Sequence, residues 1–270
     1  MMELHVNGHA TYCYTGGKDF NPAQPTVVFI HGVLNDHSVW ILQSRWFAHH
    51  GWNVLALDLP GHCRSSGTPP RSVEEAARFV VALLDAAGVQ RAALVGHSFG
   101  SLIALEAAAT APDRVSQLAL VGTAFPMRVS PALLDASLNQ PQQAIDMVNQ
   151  FSHSTLAPPP SSLGPGTWLY GGSRALMRRV LASNRQHNPF HTGFKACDDY
   201  KAGESQMQNV QCATIFIVGQ HDQMTPPKAA AALVAKARNA KVVTLAAGHA
   251  LMTEAPDGVL FALRDFLRAA

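Results

Sequence analysis

The stretch Ala92-Ala93-Leu94-Val95-Gly96-His97-Ser98-Phe99-Gly100 decides how this chain is read. It opens with a short, continuous apolar run, the pattern of a strand buried on both faces of a sheet. Gly96-His97-Ser98-Phe99-Gly100 follows at once, and residues 101–110 then carry a helical pattern. A serine between two glycines at a strand-to-helix turn sits in strained backbone with its hydroxyl exposed. The flanking glycines are needed because side chains there would collide with neighbouring elements. The start of the following helix favours developing negative charge. The five-residue pattern alone is weak, and an ordinary turn can contain a serine. The strand before it and the helix after it make Ser98 a candidate nucleophile.

Working outward, runs like the first recur at residues 27–30, 54–57, 118–121, 214–218 and 242–245. Leu4-His5-Val6 and residues 10–14 flank Asn7-Gly8, a favoured two-residue hairpin turn. Between the runs lie helical patterns with end signals. Ser72-Val73-Glu74-Glu75 is a capping box opening a helix over 72–87, which Gly88 stops. Thr225-Pro226 places a cap and a first-turn proline before 228–238, and Pro256 opens a last helix. Strand and helix in alternation predict an open, mostly parallel, eight-stranded α/β sheet flanked by helices. The alternation fails over 125–205, which holds eight of the 17 prolines, including Pro158-Pro159-Pro160. Helices are expected there at 131–139, 141–151 and 173–184. The segment is too long for a connecting loop. It reads as a helical lid inserted in a core made of 1–124 and 206–270.

Composition narrows the classes. The 270 residues are 47 % apolar and only 14 % charged, the reverse of a disordered chain. A formal charge of +2 with no basic stripe makes nucleic acid an unexpected partner. No stretch is apolar enough to span a membrane, and the N-terminus lacks a basic region and an apolar core of the signal-peptide kind. Four cysteines without paired spacing suggest free thiols in a cytoplasmic protein. The 13 histidines invite a metal reading. His187 and His191 have helical spacing, but Pro189 between them disfavours a continuous helix, so no metal site is expected.

With the elbow around Ser98 in place, the chain resembles the α/β-hydrolase family. His31-Gly32 looks like that family's oxyanion-loop motif. Asp58-Leu59-Pro60-Gly61-His62-Cys63-Arg64-Ser65 looks like its Asp-x-Pro-Gly-His-Gly-x-Ser loop, with Cys63 where glycine is usual. The resemblance implies an acid and then a histidine later in the chain than the serine. Asp222 follows one strand and His249 follows the last strand, so these complete the expected triad with Ser98. The resemblance also implies two backbone donors for the oxyanion, Phe99 N–H and Val33 N–H. Leu34, Trp40, Phe99, Phe125, Met224 and Leu251 are expected on the pocket wall.

The expected activity is hydrolysis of a small, fairly apolar carboxylic ester through an acyl-enzyme, with no cofactor. Carbon–carbon bond hydrolysis, enol-lactone hydrolysis and cofactor-free haloperoxidase chemistry occur on the same fold and stay open. An aspartate-nucleophile enzyme is disfavoured by serine at 98. A slow-turnover ligand-binding or signalling protein is the alternative of another class. It would turn over less than about once per minute, against ~10 per second for typical enzymes.

Overall fold

The computed structural model describes residues 1–21, 23–155 and 168–267. Pro158, Pro159 and Pro160 lie outside that range. The hairpin read from Asn7-Gly8 joins β1 (Met2–Val6) to β2 (His9–Tyr14). β3 (Thr26–Ile30) leads through α1 (Ile41–Ala48) to β4 (Asn53–Leu57), and α2 (Val73–Ala86) leads to β5 (Ala92–His97). α3 (Phe99–Thr110) connects β5 to β6 (Val115–Val121). Five helices follow among the described residues: α4 (Pro131–Asn139), α5 (Pro141–Ser152), α6 (Leu169–Ser183), α7 (Pro189–Asp199) and α8 (Gly203–Asn209). The chain then returns to the sheet as β7 (Ala213–Gly219), α9 (Ala231–Lys236), β8 (Ala240–Leu245), α10 (Leu251–Glu254) and α11 (Pro256–Leu267).

The eight strands lie in the order β1-β2-β4-β3-β5-β6-β7-β8. β1–β2 and β2–β4 pair antiparallel and every other pair is parallel. Alternate residues explain why the runs are apolar throughout. Val28, Ile30, Leu55 and Leu57 pack against α2 and α3 on one face. Val27, Phe29, Val54 and Ala56 pack against α1 and α11 on the other. From β3 the chain turns first toward β4 and then back to β5 on the opposite side. The loops after β3 and β5 therefore part at the sheet's carboxyl edge, where open α/β sheets form their ligand crevice.

Ser72 caps α2 as read, its Oγ accepting from Glu75 N–H at 3.1 Å, but the Glu75 carboxylate completes the box one residue early, accepting from Arg71 N–H rather than Ser72 N–H. Two further expectations need correction. The helix expected over 228–238 is shorter. Consecutive Pro226 and Pro227 open a 3-10 turn, Pro227–Ala230, before α9. Thr225 does not cap it, because its hydroxyl is engaged elsewhere. Pro189, expected to break a helix, is instead the first residue of α7. Asn188 Oδ1 accepts from Phe190 and His191 N–H, both at 3.0 Å, which makes Asn188-Pro189 a start signal. α4 to α7 share a cluster built on Leu133, Ile145, Met177, Val180, Phe190 and Phe194, and Leu34 joins it from the loop after β3.

Candidate active site

Ser98 sits between β5 and α3 at φ 52°, a left-handed conformation that costs a non-glycine residue energy. Close packing enforces it. A Cβ at Gly96 would collide with the Gly100 carbonyl, and one at Gly100 would collide with the Ile30 carbonyl of β3. Ser98 N–H donates to Val121 O of β6 at 2.9 Å, and Ser98 O accepts from Ser101 N–H at 2.8 Å. The turn is thus pinned by β3, β6 and α3 together. Phe99 opens α3 with its side chain buried. Among the described residues Ser98 Oγ makes no hydrogen bond, and such bonds often tighten only when substrate is present.

Asp222 and His249 leave the ends of β7 and β8. The two loops are knitted together by Gln220 N–H to Leu245 O at 2.7 Å and His221 N–H to Ala247 O at 2.9 Å. His249 Nδ1–H donates to Asp222 Oδ2 at 2.8 Å, and both residues are buried. The other oxygen, Oδ1, accepts from Met224 N–H at 2.8 Å and Thr225 N–H at 2.7 Å. The Thr225 hydroxyl donates to Oδ2 at 2.7 Å and lies 3.0 Å from His249 Nδ1. Burial raises the Asp222 pKa, but the His249 charge and the donors from His249 and Thr225 outweigh it, and the carboxyl is held below its ordinary value. With Nδ1 committed to Asp222, Nε2 is the nitrogen left to accept a proton.

His97 backs this pair. Its Nε2–H donates to the His249 carbonyl at 2.9 Å, and the two rings lie 4.7 Å apart. Burial, reinforced by the neighbouring His249, pushes its pKa down to about 3, so it is neutral at pH 7.

A cavity of about 620 Å³ and a second of about 250 Å³ meet at this point. Val33, Ser98, Phe194, Met224 and His249 line both. Of the side chains expected on the wall, the structure puts only Met224 there. Leu34, at φ 54°, turns into the α4–α7 cluster. Trp40 packs on Phe29 with ring centroids 5.2 Å apart, and Leu251 lies in the same core face. Phe99 is absorbed by the opposite core face, and Phe125 packs on Tyr200. A strand-end position brings a polar residue to the sheet edge. It does not tell which neighbouring apolar side chain faces a cavity rather than the core. The walls come largely from helices: Val148 of α5, Leu176 and Met177 of α6, and Leu133 of α4.

The Asp-x-Pro-Gly-His loop is a hydrogen-bonded brace. Asp58 Oδ1 accepts from His37 N–H and His37 Nδ1–H at 2.9 and 2.7 Å, and Oδ2 accepts from Arg64 N–H at 3.2 Å. His31 accepts from Leu59 N–H at 3.1 Å. Cys63 adopts φ 44°, the left-handed conformation for which glycine is the usual residue. Its thiol donates to Asp36 Oδ2 at 3.3 Å, and burial with the Asp36 charge pushes its pKa up to about 12. Asp36, His37 and Asp58 bring ligand atoms within 4.8 Å of one another, the spacing of a cation site. Each is already occupied: Asp36 by Arg179 at 2.6 Å and by Ser38, and Asp58 by His37. His191 bonds Ser137 Oγ at 3.1 Å, and His187 lies outside α7, so the two do not form a pair on one helix.

Comparison with known proteins places the chain. Residues 25–256 match the family model described as alpha/beta hydrolase fold. Over 100 residues the chain is 41 % identical to the dihydrolipoyllysine-residue acetyltransferase component of the acetoin cleaving system of Cupriavidus necator, covering 36 % of this chain and 26 % of that protein. Over 127 residues it is 35 % identical to Lipase LipV of Mycobacterium tuberculosis, covering 45 % of this chain and 47 % of that one. The matches thus span from about a quarter to just under half of these relatives' length. Among solved structures, the enol-lactonase from Burkholderia xenovorans superposes with a TM-score of 0.85 at 21 % identity, covering 99 % of this chain and 100 % of that one. That likeness is one of fold.

Proposed function

The chain belongs to the alpha/beta hydrolase fold family, and from that premise we propose that it is a serine hydrolase of small, fairly apolar carboxylic esters. One observation carries the reading. A strained serine at the elbow shares two cavities with a histidine whose far nitrogen is held by a buried aspartate.

Ser98 Oγ attacks the ester carbonyl while His249 Nε2 takes its proton. Asp222 fixes the tautomer and stabilises the imidazolium. Phe99 N–H and Val33 N–H receive the oxyanion, a contribution typically worth roughly 100- to 1000-fold in rate per donor. His249 returns the proton to the leaving alcohol, leaving an acyl-serine. It then draws a proton from water, which attacks the acyl carbonyl and frees Ser98. The chain's own groups account for every proton moved.

Residues 125–205 act as a cap over a core of 1–124 and 206–270. Support comes from the separate α4–α7 cluster and from the helical side chains that line both cavities. Free cysteines support a reducing, cytoplasmic setting. Among the described residues no helix is long and apolar enough to cross a membrane. The partner is a small acyl substrate.

A fluorophosphonate probe followed by peptide mapping tests the mechanism. Label is expected on Ser98 and is lost in Ser98→Ala; folded protein left unlabelled at Ser98 would sink it. A panel of p-nitrophenyl esters, an enol-lactone and a vinylogous diketone assigns the reaction class. Faster turnover of the lactone or diketone than of every ester would replace the ester reading.

A further inference from the structure

We propose that Glu254 is a positioning residue for the base, tying the His249 turn to the segment that leaves α5. The inference rests on the reading of His249 as the base.

Glu254 is an unusual placement. It is an acid, 6 % exposed, at the last position of α10. A buried carboxylate is costly. Four donors offset that cost. Gly248 N–H donates to Oε2 at 2.5 Å, and Ser154 N–H, Thr155 N–H and the Ser154 hydroxyl donate to Oε1 at 2.7, 2.8 and 3.0 Å. One oxygen therefore holds the residue before the base, and the other holds the chain beyond α5.

A second strut runs beside it. Ser152 O, the last carbonyl of α5, accepts from His249 N–H at 2.8 Å and Ala250 N–H at 3.1 Å. The fit leaves no slack at Gly248, where a Cβ would lie 2.6 Å from Ser152 O and 2.8 Å from Glu254 Oε2. With His97 on the His249 carbonyl, the backbone of residues 248–250 is fixed on one side by the elbow strand and on the other by α5. α5 also lines the larger cavity through Val148 and Ser152, so the wall that meets substrate and the turn that carries the base share a support.

The structure assigns this support to Glu254 because both carboxylate oxygens are needed. Glu254→Gln keeps the shape but turns one acceptor into an amide donor facing N–H groups. Steady-state kinetics on a p-nitrophenyl ester should show kcat down roughly 10- to 100-fold, the scale of a small misplacement of a catalytic group. KM should stay within about twofold, because the substrate contacts remain. Hydrogen exchange of the peptide spanning 246–251 should quicken about tenfold, as expected for one lost charge-assisted bond. Folded Glu254→Gln with wild-type kcat and wild-type exchange overturns the proposal, even if its melting temperature falls.

Ser154→Pro covers the case in which Glu254→Gln does not fold. It removes both Ser154 donors, the N–H and the hydroxyl, and keeps the acid, and residue 153 is already extended at φ −111°, ψ 128°, as a following proline requires. It should also lower kcat and quicken exchange; wild-type values for both count against the proposal. Wild-type protein with no turnover and no Ser98 label would defeat the hydrolase reading instead. The exchange comparison would then still decide whether Glu254 holds the turn.

Discussion

Asp222 keeps its charge in a buried place because donors converge on both oxygens, and Thr225 supplies two of them. Its N–H would survive most substitutions, but its hydroxyl would not. Thr225→Val, nearly the same in shape, removes one hydrogen bond to a buried carboxylate, typically about 1.5–3 kcal/mol. That should raise the Asp222 pKa toward its ordinary value and lower kcat/KM on an activated ester roughly tenfold or more. Thr225→Ser keeps the hydroxyl and should recover most of the loss. Equal rates for the valine and serine variants would show that the hydroxyl is dispensable. Ser98 is legible in the sequence because its signal is local, a strand, a glycine-flanked turn and a helix within about twenty residues of chain. Asp222 and His249 are legible as polar residues at strand ends. Thr225 reads in sequence as a helix cap, because its true partners come from two loops that meet only in the folded sheet. The same holds for Glu254, which in sequence is simply an acid two residues before a proline.

α6 shows how an element far from the sheet is fixed over the site. It carries Arg179, which reaches buried Asp36 at 2.6 Å in the loop after β3. At its end, Ser183 Oγ accepts from Cys63 N–H at 3.0 Å and Asn184 Nδ2–H donates to Gly61 O at 3.0 Å. The Arg179 side chain is 59 % exposed, so its attraction to Asp36 is screened and contributes modestly. Its greater effect is to leave the buried Asp36 carboxylate with a charged partner. Arg179→Ala should lower stability by about 1 kcal/mol and quicken hydrogen exchange in the α6 peptide more than in α2. Uniform exchange across both helices would mean that α6 is held by its apolar face alone. Three of the five helices described between β6 and β7 are visible in the sequence from proline starts and apolar spacing. α7 is hidden because Pro189 reads as an interruption between two histidines rather than as a first-turn residue after Asn188. α8 is hidden because Gly203–Asn209 is polar, and its packing against Phe125, α3 and α9 gives it a place.

At the scale of the whole molecule the histidines set the acid limit. His31, His62 and His97 are at most 3 % exposed, and burial is the leading cause that lowers all three pKa values, to about 3 for His62 and His97. A chain rich in histidine therefore carries several that fold only in the neutral form. The unfolded chain binds these protons near pH ~6.5, while the folded chain resists them until far lower pH. Stability is complete above about pH 6.5 and falls as the medium is acidified from there toward pH 3, by roughly 1 kcal/mol per pH unit for each of His62 and His97, with His31 acting in the same direction. Asp222 works in a different window: its pKa is lowered, so its contribution is present above the ordinary carboxylate value and is lost only as pH falls through its folded value. Thermal melts should be level from about pH 8 to 7 and then drop by several degrees per pH unit between about pH 6 and 4.5, before the carboxylates matter. The His62 ring faces Pro60 O at 3.0 Å through Nδ1, a bond that an asparagine amide can copy without a titrating nitrogen. His62→Asn should therefore shallow that slope while leaving the other two histidines in place. Melting temperatures that hold constant down to about pH 4.5 in the wild-type chain would mean that these histidines take up protons without unfolding, and that their burial does not govern stability in acid.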